Sequence, residues 1–159
     1  MIEIRKLKEK DIETALKIYN SNKEFLIHHI GSEKVDYCFL SNELNEMVRH
    51  DFTSNLVIID DEPVGIIDYS LNDSGYVYLS LLMLLNNFQN KGLGTSIYLY
   101  FESLVGGKNA SKIRIDVVDD YENNVIPFWE KMGFIRTKKE ELTWGGKTSS
   151  VTVMEKCIS

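Results

Sequence analysis

Cysteine and proline are scarce, with two of each in 159 residues. Cys38 and Cys157 stand far apart and have no partner spacing for a metal, so both read as reduced thiols of a cytosolic, cytoplasmic protein. Pro63 and Pro127 are the only prolines, and no repeat, low-complexity tract or linker divides the chain. A length of 159 residues suits one domain, 1–159, with a sizeable core. The longest mainly apolar run, around residues 79–85, falls far short of the ~20 residues a membrane helix needs. The N-terminal "MIEIRKLKEKD" lacks the apolar segment of a signal peptide. Basic residues are outnumbered, 18 against 24, for a formal net charge of −6. That balance argues against non-specific nucleic-acid binding and leans towards a cationic substrate. Only three histidines are present, and His28 and His29 lack a third ligand at any sensible spacing, so no metal site is expected.

What is there is a regular alternation of elements. "IEIRKL" reads as an opening strand, and Ile12, Ala15, Leu16 and Tyr19 recur at helical spacing over residues 9–20. "SNKEFLIHHIGSEK" reads as an irregular connection. Tyr37, Leu40, Leu44, Met47 and Val48 mark a second helix, with His50 at its C-terminal end. "NLVIID" and "VGIIDYSL" pair across "DDEP", and "YVYLSLLMLL" follows the turn "NDSG" as a strand covered on both faces. Ile97, Tyr100, Phe101 and Leu104 set a helix that "GGKN" stops. "KIRIDVV" is the next strand, and Val125, Phe128, Trp129 and Met132 a short helix ended by Gly133. "FIRTKKEEL" and "TSSVTVMEK" close the chain as a hairpin. The fold class is therefore mixed α/β, in the order β-α-α-β-β-β-α-β-α-β-β, with a crossover that sets the fourth and fifth strands parallel.

The glycines of "QNKGLG" fall at a strand-to-helix junction. A Walker loop is excluded because no G-x-x-x-x-G-K-[ST] is present. A dinucleotide fingerprint fails at its third glycine, where Ile97 stands. What remains is Gln-x-x-Gly-x-Gly, whose backbone amides would converge on an anion such as a pyrophosphate at the positive end of a helix. "LLMLLNNFQNKGLGTSIY" together with "NNVIPFWEKMGF", about forty residues later, resembles the GNAT superfamily of acyl-CoA-dependent N-acetyltransferases across essentially the whole chain. The resemblance implies acetyl-CoA as cosubstrate, no metal, and a fold with splayed fourth and fifth strands opening beside Met83 and Val117. It implies pantetheine pairing with Leu82, Met83 and Leu84, and a pyrophosphate on Gln89, Asn90, Lys91, Gly92, Leu93, Gly94 and Thr95. Asn123 or Asn124 would bond the cofactor arm, and Trp129 would border it or sit in the core.

Only a neutral amine attacks a thioester, and an alkylamine of pKa near ~10.4 must first lose a proton. The oxyanion needs a backbone N–H on the splayed strand, which the resemblance places around Leu84. Where many relatives carry a thiolate-protonating tyrosine this chain has Trp129, which has no proton to give. Where some carry a glutamate it has Tyr78. Strand alternation places Tyr76, Tyr78 and Ser80 on the face of Leu82, as pocket wall, water anchor or plain packing. Asp68, inside the apolar "GIIDYS", is the better carboxylate candidate, facing either a substrate ammonium, an active-site water or a structural partner. His28 and His29 fall in the region that caps the acceptor site in the family. Phe25 and Tyr37 are further wall candidates on the same resemblance. The expected reaction is acetyl transfer to a primary amine, with a small cationic molecule favoured and a protein amine open. A non-catalytic acyl-CoA sensor is the alternative, and the final hairpin's edge is a possible homodimer surface.

Overall fold

The computed structural model describes residues 1–158. A seven-stranded mixed sheet runs in the order β1-β2-β3-β4-β5-β7-β6. Its strands are β1 (Ile2–Lys6), β2 (Thr53–Ile59), β3 (Glu62–Leu71), β4 (Tyr76–Leu84), β5 (Lys112–Val118), β6 (Ile135–Trp144) and β7 (Lys147–Cys157). The helices are α1 (Ile12–Asn20), α2 (Lys23–Ile30), α3 (Tyr37–Arg49), α4 (Leu93–Gly106) and α5 (Ile126–Lys131). Helices α1, α2 and α3 bury Ile18, Leu26, Leu40 and their neighbours against Leu56, Ile66, Leu81 and Met83 on one face. On the other, α4 and α5 bury Ile97, Phe101, Ile126 and Trp129 against Val57, Ile67, Val77 and Ile113. In α4 the buried tyrosine is Tyr98, whereas Tyr100, expected on the inner stripe, is exposed.

Two expectations are corrected. "SNKEFLIHHIGSEK" is not irregular, for it contains α2, which Asn22 precedes and Gly31 ends at φ +83°. Its apolar residues are spread around the axis, with Leu26 and Ile30 buried and Ile27 exposed, so no clean stripe announced it. The second correction concerns β4. Asp68 pairs with Leu81 and Tyr69 with Leu79, leaving Ser80 as an extra residue, a β-bulge. The bulge exchanges the two faces. Val77 and Leu79 pack on the α4 side, while Leu81 and Met83 pack on the α1 side. Tyr76 and Tyr78 therefore share a face with Met83, not with Leu82.

β4 and β5 form the parallel pair the sequence implied, but only Tyr76, Tyr78 and the residue between them pair, against Lys112–Arg114. β4 continues to Leu84 and β5 to Val118 without pairing each other, so the strands part beside Met83 and Val117. The last tie at the apex is the Tyr78 hydroxyl, which donates to Asp116 at 2.5 Å. At the sheet's edge, β6 exposes Arg136, Lys138, Lys139 and Glu141, charge that opposes edge-to-edge pairing of two copies.

Candidate active site

The loop after β4 is shaped by its backbone. Asn90 has φ +60° and Gly92 has φ +77°, left-handed values that glycine tolerates best. They turn the chain so that α4 begins at Leu93. Among the described residues, the amides of Asn90, Lys91, Gly92, Leu93, Gly94 and Thr95 have no hydrogen-bond acceptor, and Ser96 is the first to bond back, to Gly92 O at 3.3 Å. These donors stand at the positive end of a 14-residue helix. A Cβ placed on Gly92 meets nothing within 4 Å, and one on Gly94 lies 3.6 Å from Phe128. Space is thus open beside Gly92, and a run of free amides at a helix start fits a pyrophosphate. Lys91 stands beside it, its Nζ 6.0 Å from the Phe88 ring centroid.

Gln89 is not part of the cradle. Its Nε2 donates to Leu84 O at 3.1 Å and also to Asn22 Oδ1. Asn22 Nδ2 in turn donates to Leu84 O at 2.9 Å and to Ile18 O at 2.9 Å. The glutamine therefore ties the end of β4 to the start of α2, and its expected contact with the ligand is corrected to a structural one. The exposed edge of β4 follows from the ladder. Leu85 N–H bonds Val64 O at 2.8 Å, and in an antiparallel pair the direction alternates residue by residue. The backbone groups of Leu82 and Leu84 consequently face the gap, whereas those of Met83 face β3. Of the three residues expected to pair with pantetheine, Leu82 offers both backbone groups and Leu84 its N–H, its carbonyl being taken by Gln89 and Asn22.

Helix α2 bridges the mouth of the gap like a lintel. Asn22 anchors its N-terminal end to β4. Its C-terminal end meets the β6–β7 turn, where a Cβ on Gly145 would collide with Ile30 and where Lys147 Cδ lies 3.5 Å from the Cβ position of Gly31. Between these ends, His28 stacks on Tyr121, just past β5, at 3.9 Å and 5°. Phe25 stacks on His29 at 3.8 Å, and Trp144 stands edge-on to both rings. Trp144 Nε1 donates to Glu43 at 2.9 Å, and burial raises the Glu43 carboxyl. His29 Nδ1 lies 2.8 Å from Phe25 O. A carbonyl only accepts, so Nδ1 carries the proton and Nε2 keeps its lone pair. Burial lowers this imidazole to about 4, leaving it neutral at physiological pH. Asn22, Tyr121, Trp144 and Lys147 carry no local motif, and only the fold brings them to one opening.

The two catalytic candidates lie elsewhere. Asp68 is 1% exposed, and its Oδ1 has no hydrogen-bond partner among the described residues. It lies on the α1 face opposite Ser54, and burial raises its carboxyl to about 7. Of the alternatives for Asp68, its burial favours a structural role over a substrate-facing carboxylate. Tyr78 is committed to Asp116, which also holds Arg114 at 2.8 Å. Burial and then that carboxylate push its hydroxyl far above the phenol range, so it cannot serve as a base. Trp129 is 7% exposed and packs edge-on against Tyr98, Phe128 and Phe134, a core residue rather than a border of the cofactor arm. Asn124 spends both ends of its amide, on Tyr121 O and Ile126 N–H at 3.0 Å each. Asn123 is exposed and its side chain makes no hydrogen bond among the described residues. No group of three metal-ligating side chains occurs among those residues either.

An unpaired amide cradle at the open end of a β4–β5 splay defines an acyl-CoA-dependent acetyltransferase architecture. The sequence matches the acetyltransferase (GNAT) family over residues 15–134, and the chain belongs to that family. Among solved structures it is similar to an acetyltransferase from Thermus thermophilus, at 20% identity and a TM-score of 0.78, covering 99% of this chain and 97% of that one. It is also similar to spermidine N-acetyltransferase from Vibrio cholerae in complex with CoA and spermine, at 15% identity and 0.76, covering 99% and 95%. PaiA N-acetyltransferase from Thermoplasma acidophilum in complex with coenzyme A aligns at 23% identity and 0.70, covering 99% of each chain. No curated protein matches the sequence.

Proposed function

We propose that this chain transfers an acetyl group from acetyl-CoA to the primary amine of a small molecule by direct attack. The observation that carries the reading is the run of acceptor-free amides over residues 90–95 at the open end of the splay. Those amides would hold the pyrophosphate, and the outward backbone groups of Leu82 the pantetheine amides. Acetyl-CoA supplies the acyl group and a thiol of pKa near ~8.5, able to leave as the thiolate without a dedicated acid. The amine forms the new N–C bond as the C–S bond breaks.

The chain's own residues bind and orient. Leu84 N–H faces the gap and is the donor for the carbonyl oxygen. His29 Nε2, neutral and lone-paired, accepts a hydrogen bond from the incoming amine and orients it, while water takes the proton. Helix α2, with its His28–Tyr121 stack, narrows the mouth, which favours a small acceptor over a protein tail. The commitment of Tyr78 to Asp116 favours a second reading, an acyl-CoA-binding sensor without turnover.

Thiol release from acetyl-CoA across a panel of primary amines separates the two. Turnover with any class of amine establishes the enzyme. Micromolar acetyl-CoA binding, abolished in Gly92→Glu and without turnover, establishes the sensor. No binding at all refutes the cradle.

A further inference from the structure

We propose that Lys147 makes the acceptor site selective for primary amines that carry a carboxylate at their opposite end. The inference rests on the acetyltransferase reading above and names its substrate class. Lys147 opens β7 beyond the point where β5 stops, since Val118 with Val151 is their last pair. Its stem lies against Gly31, at the C-terminal end of the lintel. Its cross-strand partner is Trp144, whose ring stands over Phe25 and His29 at the mouth.

The charge there has no counterion. Lys112, Lys138, Lys139 and Lys156 each meet a carboxylate. Lys147, which is partly buried, has none within ion-pairing distance among the described residues, and its Nζ donates to Ser149 Oγ at 2.7 Å. Ser149 is 3% exposed. A neutral hydroxyl supplies no countercharge, so an incoming carboxylate would be the ammonium's first ionic partner. The nearby Glu43 is engaged by Trp144. Other acids stand further along the mouth, where Asp120 and Glu24 bear on Tyr121. An acidic region beside Tyr121 and a basic one at Lys147 therefore follow one another along α2. An eight-residue helix spans about 12 Å, so the acceptor's amine and carboxylate lie at separate ends rather than on one carbon. Of the two grounds for a cationic preference, the acidic net charge and Asp68, the second is buried in the core.

The test compares matched acceptors of similar amine basicity by thiol release: hexylamine with 6-aminohexanoate, and cadaverine with lysine. The carboxylated member of each pair should have a KM lower by about tenfold, the fold-change expected for one charge-assisted contact. Lys147→Met should erase the difference, Lys147→Arg should keep most of it, and Lys147→Glu should turn it towards cadaverine. Melting temperatures near the wild-type value exclude misfolding of the variants. Equal KM values in the wild type, or a preference that survives in folded Lys147→Met, overturn the assignment while leaving the acetyltransferase standing. No turnover of any amine overturns both.

Discussion

Asp68→Asn tests the buried carboxyl directly. Asp68 is enclosed between the sheet and the helices α1 and α3, with Ser54 its cross-strand neighbour and, among the groups that bear on it, a Tyr19 hydroxyl that has no partner among the described residues. Burial raises it from 3.8 to about 7. In the unfolded chain the acid ionises freely above pH 4, whereas the folded chain resists ionisation until about pH 7. The folded state's advantage is thus fully present below pH 4 and lost as pH rises through 7. At about 1.36 kcal/mol per pH unit, the loss reaches about 4 kcal/mol, a large share of the 5–15 kcal/mol typical of a domain.

His29 runs the other way. Lowered to about 4 from 6.5, it contributes stability above pH 6.5 that is lost as pH falls towards 4, by about 3 kcal/mol. The two slopes oppose each other in the wild type, so the informative quantity is the difference between Asp68→Asn and the wild type. Urea unfolding at pH 4, 6 and 8 should show that difference rising in the variant's favour by up to about 4 kcal/mol. Acetyl transfer, if present, should change only a few-fold. A difference that stays flat with pH refutes the burial argument, and a collapse of turnover returns Asp68 to the chemistry.

Gly92→Ala places a Cβ where φ is +77° and should cost about 1–2 kcal/mol of stability while weakening acetyl-CoA binding measured by calorimetry. Trp129→Ala should lose about 3–5 kcal/mol by chemical denaturation, as a core cavity does. An unchanged stability with a raised acetyl-CoA KM would instead make Trp129 a ligand contact. Asn22→Ala removes two donors from α2's anchor and one partner of Gln89. Hydrogen exchange of α2 amides should accelerate by about tenfold or more, for a loss of about 1–3 kcal/mol, with the α4 amides unaffected.

Much of this was open to a reader of the sequence. The order of elements apart from α2, the β4–β5 crossover and the run of amides at the start of α4 are written in periodicity and glycine spacing. Gln89 shows where that reading stops. Its place in the motif is correct, yet its amide turns inward to Leu84 and Asn22 because α2 closes on that end of β4. The same limit applies to Tyr78, whose face depended on one extra residue at Ser80.

Sequence alone determined what depends on near neighbours in the chain: an apolar strand, a left-handed glycine, a helix start with amides free. Tertiary structure decided what depends on distant ones. It sealed Asp68, sent Trp129 into the core, made a helix of residues 23–30, and brought Lys147 to the mouth beside His29. The physical reason is one of range. Backbone conformation is set by φ and ψ within a few residues, whereas a side chain's surroundings are set by register and packing between segments far apart in the chain.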